Sequence, residues 1–267
     1  MSKSKNLAIG IDIGGSGIKG APVSMKSGKF KAEKLRIPTP ENASPGEIAE
    51  IVRTIADSFE LPDAPVGVTF PSPIINGTIS YVANLSQEWK GVAVEELFSA
   101  ALGRPVTVLN DADAAGYAEV YYGAARGRMG TCLTLTLGTG IGSALVRDGV
   151  LVPNTEFGHI ILPNGQQDAE RWAASSVFER DQLSFEEWAG RLQMVFDALE
   201  LYVAPDVMII GGGVSKRHDQ FLPLLHTRAE LIPAELRNKA GIVGAALMAY
   251  QQAAKAAKTA KAAKTAQ

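Results

Sequence analysis

Three glycine-rich stretches each follow a run that reads as a buried strand, and together they suggest a phosphate site. Gly14, Gly15 and Gly17 come after the strand carrying Asp12. Gly138, Gly140 and Gly142 come after TLTL, and Gly211, Gly212 and Gly213 come after VMII. Glycine lets a backbone approach an anion and turn its N–H groups inward, and it tolerates the positive φ such turns need. Gly15, Gly17 and Gly20 also spell GxGxxG. A dinucleotide fingerprint must open a helix, however, and Pro22 with the KSGK turn makes the next segment a hairpin instead. The P-loop pattern fails as well, because Lys19 is followed by Gly20 and not by Ser or Thr. The expected site is therefore borne on a hairpin with Asp12 at its mouth. A carboxylate beside phosphates calls for a cation, so Asp12 predicts Mg²⁺ held through water, unless it only caps the turn.

Other carboxylates have spacing suited to a polyol. Asp111 follows the strand-like PVTVLN, at a strand end where ligand clefts form. By its surroundings alone it is equally a general base or a cap on the next helix, as Asn110 or Asp113 could be. Glu156 and His159, with Gly158 between them, can converge on neighbouring hydroxyl groups of one sugar. His218 and His226 lie in a polar helical stretch and read as surface residues. Trp89, Trp172 and Trp188 read as packing residues, with Trp89 the one to watch for its nearness to Asn84.

These groups need strands and helices to carry them. LAIGIDIGG predicts a strand, and IKGAPVSM with FKAEKLRI predicts a hairpin about KSGK. Ser44, Pro45 and Glu47 begin a helix along Ile48, Ile51, Val52, Ile55 and Phe59. A strand near Pro65–Phe70, a helix near Val94–Leu102 closed by Gly103, and PVTVLN complete a first α/β lobe at 1–110. The second lobe, 111–253, repeats the theme. DADAAGYAEVYYGAA predicts a helix, TCLTLTL and IGSALVR predict strands, and Asp148 with Gly149 predicts a hairpin turn. Ser184 and Glu187 cap a long helix stopped by Pro205, and DVMII is a strand. AGIVGAALMAYQ predicts a helix of small residues that could pack very closely, back on the first lobe. Two similar α/β halves with a cleft between them are expected, without a short repeat.

The chain has 267 residues, 46% hydrophobic and 20% charged, which is enough to bury a core and excludes global disorder. Apolar runs are far shorter than the roughly 20 residues of a membrane helix, and MSKSKN leads straight into a strand, so neither a span nor a signal peptide is expected. Cys132, the one cysteine, can form neither an internal disulfide nor a zinc cluster, which fits a reducing, cytoplasmic setting. Basic and acidic residues number 26 and 28, a formal charge of −2. Lys255, Lys258, Lys261 and Lys264 lie in the last 17 residues, so the body has 22 basic against 28 acidic residues, or −6. That balance argues against broad nucleic-acid binding. The tail, 254–267, lacks an apolar face and reads as frayed or disordered, the alternative being a grip on a polyanion.

DIGGSGIK from Asp12, LNDAD from Leu109, LGTGIG from Leu137, EFGH from Glu156 and IIGGG from Ile209 form, in order, a set that resembles the motifs of the ROK-family sugar kinases. The resemblance spans about residues 7 to 250. GVTFPSPI, ANLSQEWKGV, DAERWAAS and GGGVSK are closest to the family's actinobacterial, polyphosphate-using branch, some members of which are described as glucomannokinases. It implies an actin-like, ribonuclease H-like α/β fold of two lobes. It also implies transfer of a phosphoryl group from polyphosphate, and from ATP, to the 6-hydroxyl of glucose or mannose with Mg²⁺. On this resemblance Asp111 is the base, and Asn84, Asn110, Asp111, Glu156, His159 and Glu170 meet the sugar. Asp12, Gly14, Gly15, Ser16, Lys19, Gly138, Thr139, Gly140, Gly212 and Gly213 meet phosphate or nucleotide. A polyphosphate track could use Lys19, Arg126, Arg128, Lys216 and Arg217. The chain departs from the family in two places. LPNGQQDAERWA has no cysteine where most members carry a zinc segment, so no zinc is expected and metal cannot orient His159. Ser72 stands where a glycine is usual after Pro71. Some relatives are sugar-responsive repressors, but the first strand begins by about Leu7 and leaves no room for a DNA-reading domain. The rival readings are an ATP-only kinase of another sugar, such as an acylated hexosamine, and a non-catalytic sugar sensor. Oligomeric state is not legible from one chain.

Overall fold

A computed structural model describes residues 6–80, 86–163, 165 and 168–265. The chain divides into two compact units, Met1–Ala114 with Lys239–Gln267, and Ala115–Asn238. The boundaries differ from the expected 1–110 and 111–253 because the last helix belongs to the first unit and the second unit ends at Asn238.

In the first unit, β1 (Leu7–Gly14), β2 (Gly17–Ser24) and β3 (Leu35–Ile37) are antiparallel neighbours. After α1 (Pro45–Asp57), β4 (Val66–Phe70) pairs parallel to β1. A small ribbon of β5 (Ile74–Ile75) and β6 (Thr78–Ile79) precedes α2 (Val94–Leu102), and β7 (Val106–Asn110) adds parallel to β4. The sheet order is β3-β2-β1-β4-β7. The expected strand from Phe30 shrinks to a single bridge with Val23 before β3 resumes the pairing. Ser44 and Glu47 cap α1 reciprocally. Trp89 is fully buried, donates Nε1–H to the Ala43 carbonyl at 2.7 Å and packs on Phe70, so it is a core residue.

The chain then enters α3 (Asp111–Tyr122). In the second unit β8 (Thr131–Leu137), β9 (Ile141–Arg147) and β10 (Val150–Val152) are antiparallel. Asp148 (φ 49°) and Gly149 (φ 79°) turn the hairpin between β9 and β10. Two short helices, α4 (Ala169–Ala173) and α5 (Ser175–Arg180), precede α6 (Phe185–Val203), which carries its own Ser184–Glu187 capping box. β11 (Val207–Gly211) pairs parallel to β8, and β12 (Glu230–Pro233) pairs parallel to β11. The order β10-β9-β8-β11-β12 repeats the pattern of the first sheet. Trp188 is buried in this unit's core. Cys132 is a buried free thiol on β8, and its desolvation raises its pKa.

α7 (Ala240–Thr265) returns to the first unit. A Cβ on Gly67 would stand 1.9 Å from the Ala245 carbonyl oxygen, and one on Gly10 would stand 1.8 Å from that of Ile242. Helix backbone thus rests directly on strand backbone. The tail corrects an expectation, since α7 continues to Thr265 instead of fraying. The packed first half supplies the nucleus, and each further Ala or Lys then adds a hydrogen bond at little propensity cost. Residues 252–263 are exposed. Among the described residues no helix is long and apolar enough to cross a membrane.

Gly67→Ala is expected to lose about 1–3 kcal/mol in urea unfolding through overpacking against α7. Gly46→Ala, at an exposed position in α1 where a Cβ meets nothing within 4 Å, should not lose stability.

Candidate active site

Parallel strands bring the first unit's candidates to one end of its sheet. The carboxyl ends of β1, β4 and β7 carry the turn at Gly15 and Ser16, the buried Ser72, and Asn110 with Asp111. Gly14 pairs with Gly17, so Gly15 and Ser16 form the exposed tip of a hairpin. Thr39 Oγ1 donates to the Gly14 carbonyl at 2.6 Å, and Arg36 donates to that of Ser16 at 2.7 Å. Asp12, Lys19 and Arg36 are consecutive partners across three strands and share one face. Arg36 was missed in the sequence because only strand register sets it beside the turn. Half-buried Asp12 accepts from Thr69 Oγ1 at 2.8 Å. Its Oδ1 would lie 3.0 Å from a Cβ on Gly241, so the small first turn of α7 leaves room for the carboxylate.

Both side chains at the start of α3, Asn110 and Asp111, bond its first turn. Asn110, 8% exposed, takes the cap: its Oδ1 accepts from the N–H groups of Ala112 (2.8 Å) and Asp113 (3.2 Å). Asp111 is exposed, and its Oδ1 also accepts from the Ala112 N–H at 2.8 Å. Asn110 thus turns its side-chain oxygen to the helix. Asn84 lies outside the described residues.

In the second unit, β8 and β11 end side by side, so their glycine turns are neighbours. Gly212 (φ 86°) presses so close to β8 that a Cβ would lie 2.0 Å from the Leu137 carbonyl oxygen. A cavity of about 400 Å³ has Gly138, Thr139, Ser176, Glu179, Gly213 and Arg217 among its lining residues. Ser176 fastens the first turn, its N–H donating to the Gly138 carbonyl (3.1 Å) and its hydroxyl to that of Thr139 (2.6 Å). Gly138 and Gly213 have neither a positive φ nor a neighbour that a Cβ would strike. Their bare backbone opens onto space, as an anion site requires. Arg217 stacks its guanidinium over Phe178 (5.4 Å) and Phe185 (5.3 Å) at this cavity. Arg126 and Arg128 do not join it. They precede β8 and lie at the far end of the strand, where Arg128 pairs with Glu230 at 2.9 Å.

Glu156, His159 and Glu170 come together around β9. Ser143 on β9 donates Oγ–H to the Thr155 carbonyl (2.7 Å) and accepts from the Phe157 N–H (3.0 Å). Gly158 is tight against the Ile141 carbonyl. Glu170 on α4 accepts the Ile141 N–H through Oε2 at 3.0 Å, in the space a Cβ on Gly140 would need. His159 Nε2 is 3.8 Å from Glu156 Oε2, and its Nδ1 is 3.4 Å from Asp168 Oδ2, a partner missed in the sequence. Burial raises the pKa of Glu156, His159 opposes that shift and Glu170 adds to it. Two acceptors beside an imidazole suit a diol. Among the described residues no cluster of three His, Cys, Asp or Glu side chains could hold a metal.

Twin sheets of the same strand order, with glycine turns at their strand ends, define the actin-like fold of sugar kinases. The chain belongs to the ROK family, whose model matches residues 8–170. It is 43% identical to a polyphosphate glucokinase of Mycobacterium tuberculosis over 89% of both chains. It is 47% identical to the inorganic polyphosphate/ATP-glucomannokinase of Arthrobacter sp. strain KM, with a TM-score of 0.85 over 93% of this chain and 100% of that one. A ROK hexokinase of Thermus thermophilus is 25% identical with a TM-score of 0.78, over 93% of this chain and 99% of that one.

The Glu156 shift has a testable sign. A carboxyl whose folded pKa lies above its unfolded value favours folding when protonated. That contribution is full below the unfolded value and disappears as pH rises through the folded one. Ionised Glu156 therefore costs stability at neutral pH. Glu156→Gln should melt higher than the parent at pH 7.5, with the gap closing toward pH 4 in thermal scans.

Proposed function

We propose that the chain is a glucokinase that takes its phosphoryl group from inorganic polyphosphate or ATP and accepts mannose as well as glucose. The observation that carries this reading is the exposure of Asp111 at the carboxyl end of β7, beside buried Asn110 whose Oδ1 caps α3. Its relatives, a polyphosphate glucokinase and a polyphosphate/ATP-glucomannokinase, support the donor and the sugar.

In this reading Glu156, His159 and Glu170 hold the ring hydroxyls. Asp111 accepts the proton of the 6-hydroxyl as O6 attacks the terminal phosphorus. The bond from that phosphorus to its bridging oxygen breaks, leaving a polyphosphate one unit shorter, or ADP. The N–H groups about Gly138, Thr139, Gly140, Gly212 and Gly213, and those of the Gly14–Ser16 turn with Lys19, stabilise charge on the phosphates. Asp12 fits Mg²⁺ bound through water: a single carboxylate is typical where phosphates supply other ligands. Bound there, Mg²⁺ neutralises charge on the phosphates.

The test is a matrix of donors (polyphosphate, ATP) against acceptors (glucose, mannose, N-acetylmannosamine). Glucose and mannose turnover with polyphosphate is expected, whereas N-acetylmannosamine turnover with ATP alone would replace this reading. Asp111→Ala should lower kcat by roughly 10²- to 10⁴-fold with an unchanged circular dichroism spectrum. Near-normal turnover would remove Asp111 as base.

A further inference from the structure

The loop after His159 has no cysteine, yet the imidazole is not left without an orienting group. Asp168 Oδ2 lies 3.4 Å from His159 Nδ1. This carboxylate is itself well fixed. Its side chain is only 16% exposed, and Oδ1 caps α4 by accepting the Arg171 N–H at 2.8 Å. Its backbone bridges Ile161, and the next N–H, of Ala169, donates to the Ile160 carbonyl at 3.0 Å. The chain thus closes on itself directly after His159, and the cap and the bridge together aim Oδ2 at the ring. An ionised carboxylate only accepts hydrogen bonds, so a neutral ring that bonds it carries its proton on Nδ1 and presents a lone pair at Nε2. Nε2 is the nitrogen on the Glu156 side, 3.8 Å from Oε2. Two acceptors side by side receive two hydroxyl protons. With the proton on Nε2, the ring would instead donate toward Glu156 and lose its acceptor for the sugar.

We propose that Asp168 is a positioning residue that sets the tautomer and orientation of His159, so that Nε2 and Glu156 together accept protons from two neighbouring hydroxyl groups of the sugar. The sugar half of this inference rests on the proposed function; the tautomer half stands on the geometry alone. In Asp168→Asn, Oδ1 can still cap α4 while the amide NH₂ faces Nδ1, which reverses the polarity and drives the proton to Nε2. Asp168→Ser keeps a good capping group and removes the carboxylate.

Long-range ¹H–¹⁵N spectra of the three histidines, with His159 assigned by its loss in His159→Gln, read the tautomer in the sugar-free protein. The expectation is Nδ1–H in the parent and a shift toward Nε2–H in Asp168→Asn. An Nε2–H parent, or a ring spectrum unmoved by both substitutions, overturns the proposal. Steady-state kinetics with polyphosphate should show KM for glucose rising roughly tenfold in Asp168→Asn, the effect of one lost hydrogen bond, with a smaller rise in Asp168→Ser. KM for polyphosphate should stay within about twofold of the parent, as a general loosening of the fold would not allow. An unchanged KM for glucose beside a moved tautomer overturns the sugar half. If the parent phosphorylates no sugar, the functional reading fails, and the spectra still decide what Asp168 does.

Discussion

A carboxylate occupying the space beside a glycine organises the second unit. Glu170 Oε2 accepts the Ile141 N–H at 3.0 Å and lies 2.0 Å from where a Cβ on Gly140 would be. No other residue at 140 could admit it without displacement. A hydrogen bond to a charged acceptor contributes about 1.5–3 kcal/mol, and this one joins α4 to the turn between β8 and β9. Ser143 and Gly158 dock the Glu156–His159 segment on β9. Three stretches distant in sequence thus become one rigid piece. The Glu156 and His159 side chains and the N–H groups of the glycine turn are thereby held in one arrangement, and phosphoryl transfer depends on such positioning more than on covalent chemistry.

The first unit reaches similar precision by a different contact. Its sheet and α7 meet backbone to backbone at Gly10 and Gly67, too close for any side chain. This proximity sets Gly241 beside Asp12 and lets the carboxylate rest against Thr69. At the neighbouring strand end two adjacent polar residues divide their roles by exposure. Asn110 is buried and caps the helix, while Asp111 is exposed and also accepts from the Ala112 N–H. Burial thus separates a buried amide from an exposed carboxylate one residue later.

The tail shows local propensity working without packing. Ala and Lys extend a helix that its buried half has already nucleated, so exposed residues can remain helical with no apolar face to bury. Frayed coil was expected from the missing apolar face alone, which overlooks that nucleation cost is met upstream.

Much of the architecture was legible because its signals are local. Capping pairs at Ser44–Glu47 and Ser184–Glu187, Gly103 after α2, and the Asp148–Gly149 turn act within a few residues and mark boundaries wherever they occur. The ordered motifs likewise disclosed the family. Contacts between distant segments were not legible. Strand register sets Arg36 beside Lys19, and the bridge between Ile161 and Asp168 turns a helix cap toward His159. Strand ends place Arg126 and Arg128 away from the glycine turn after β8, which residue type alone could not tell. Residue types and spacing determine which chemistry is possible. Which groups share it depends on pairing and burial across long separations, and that only the folded chain decides.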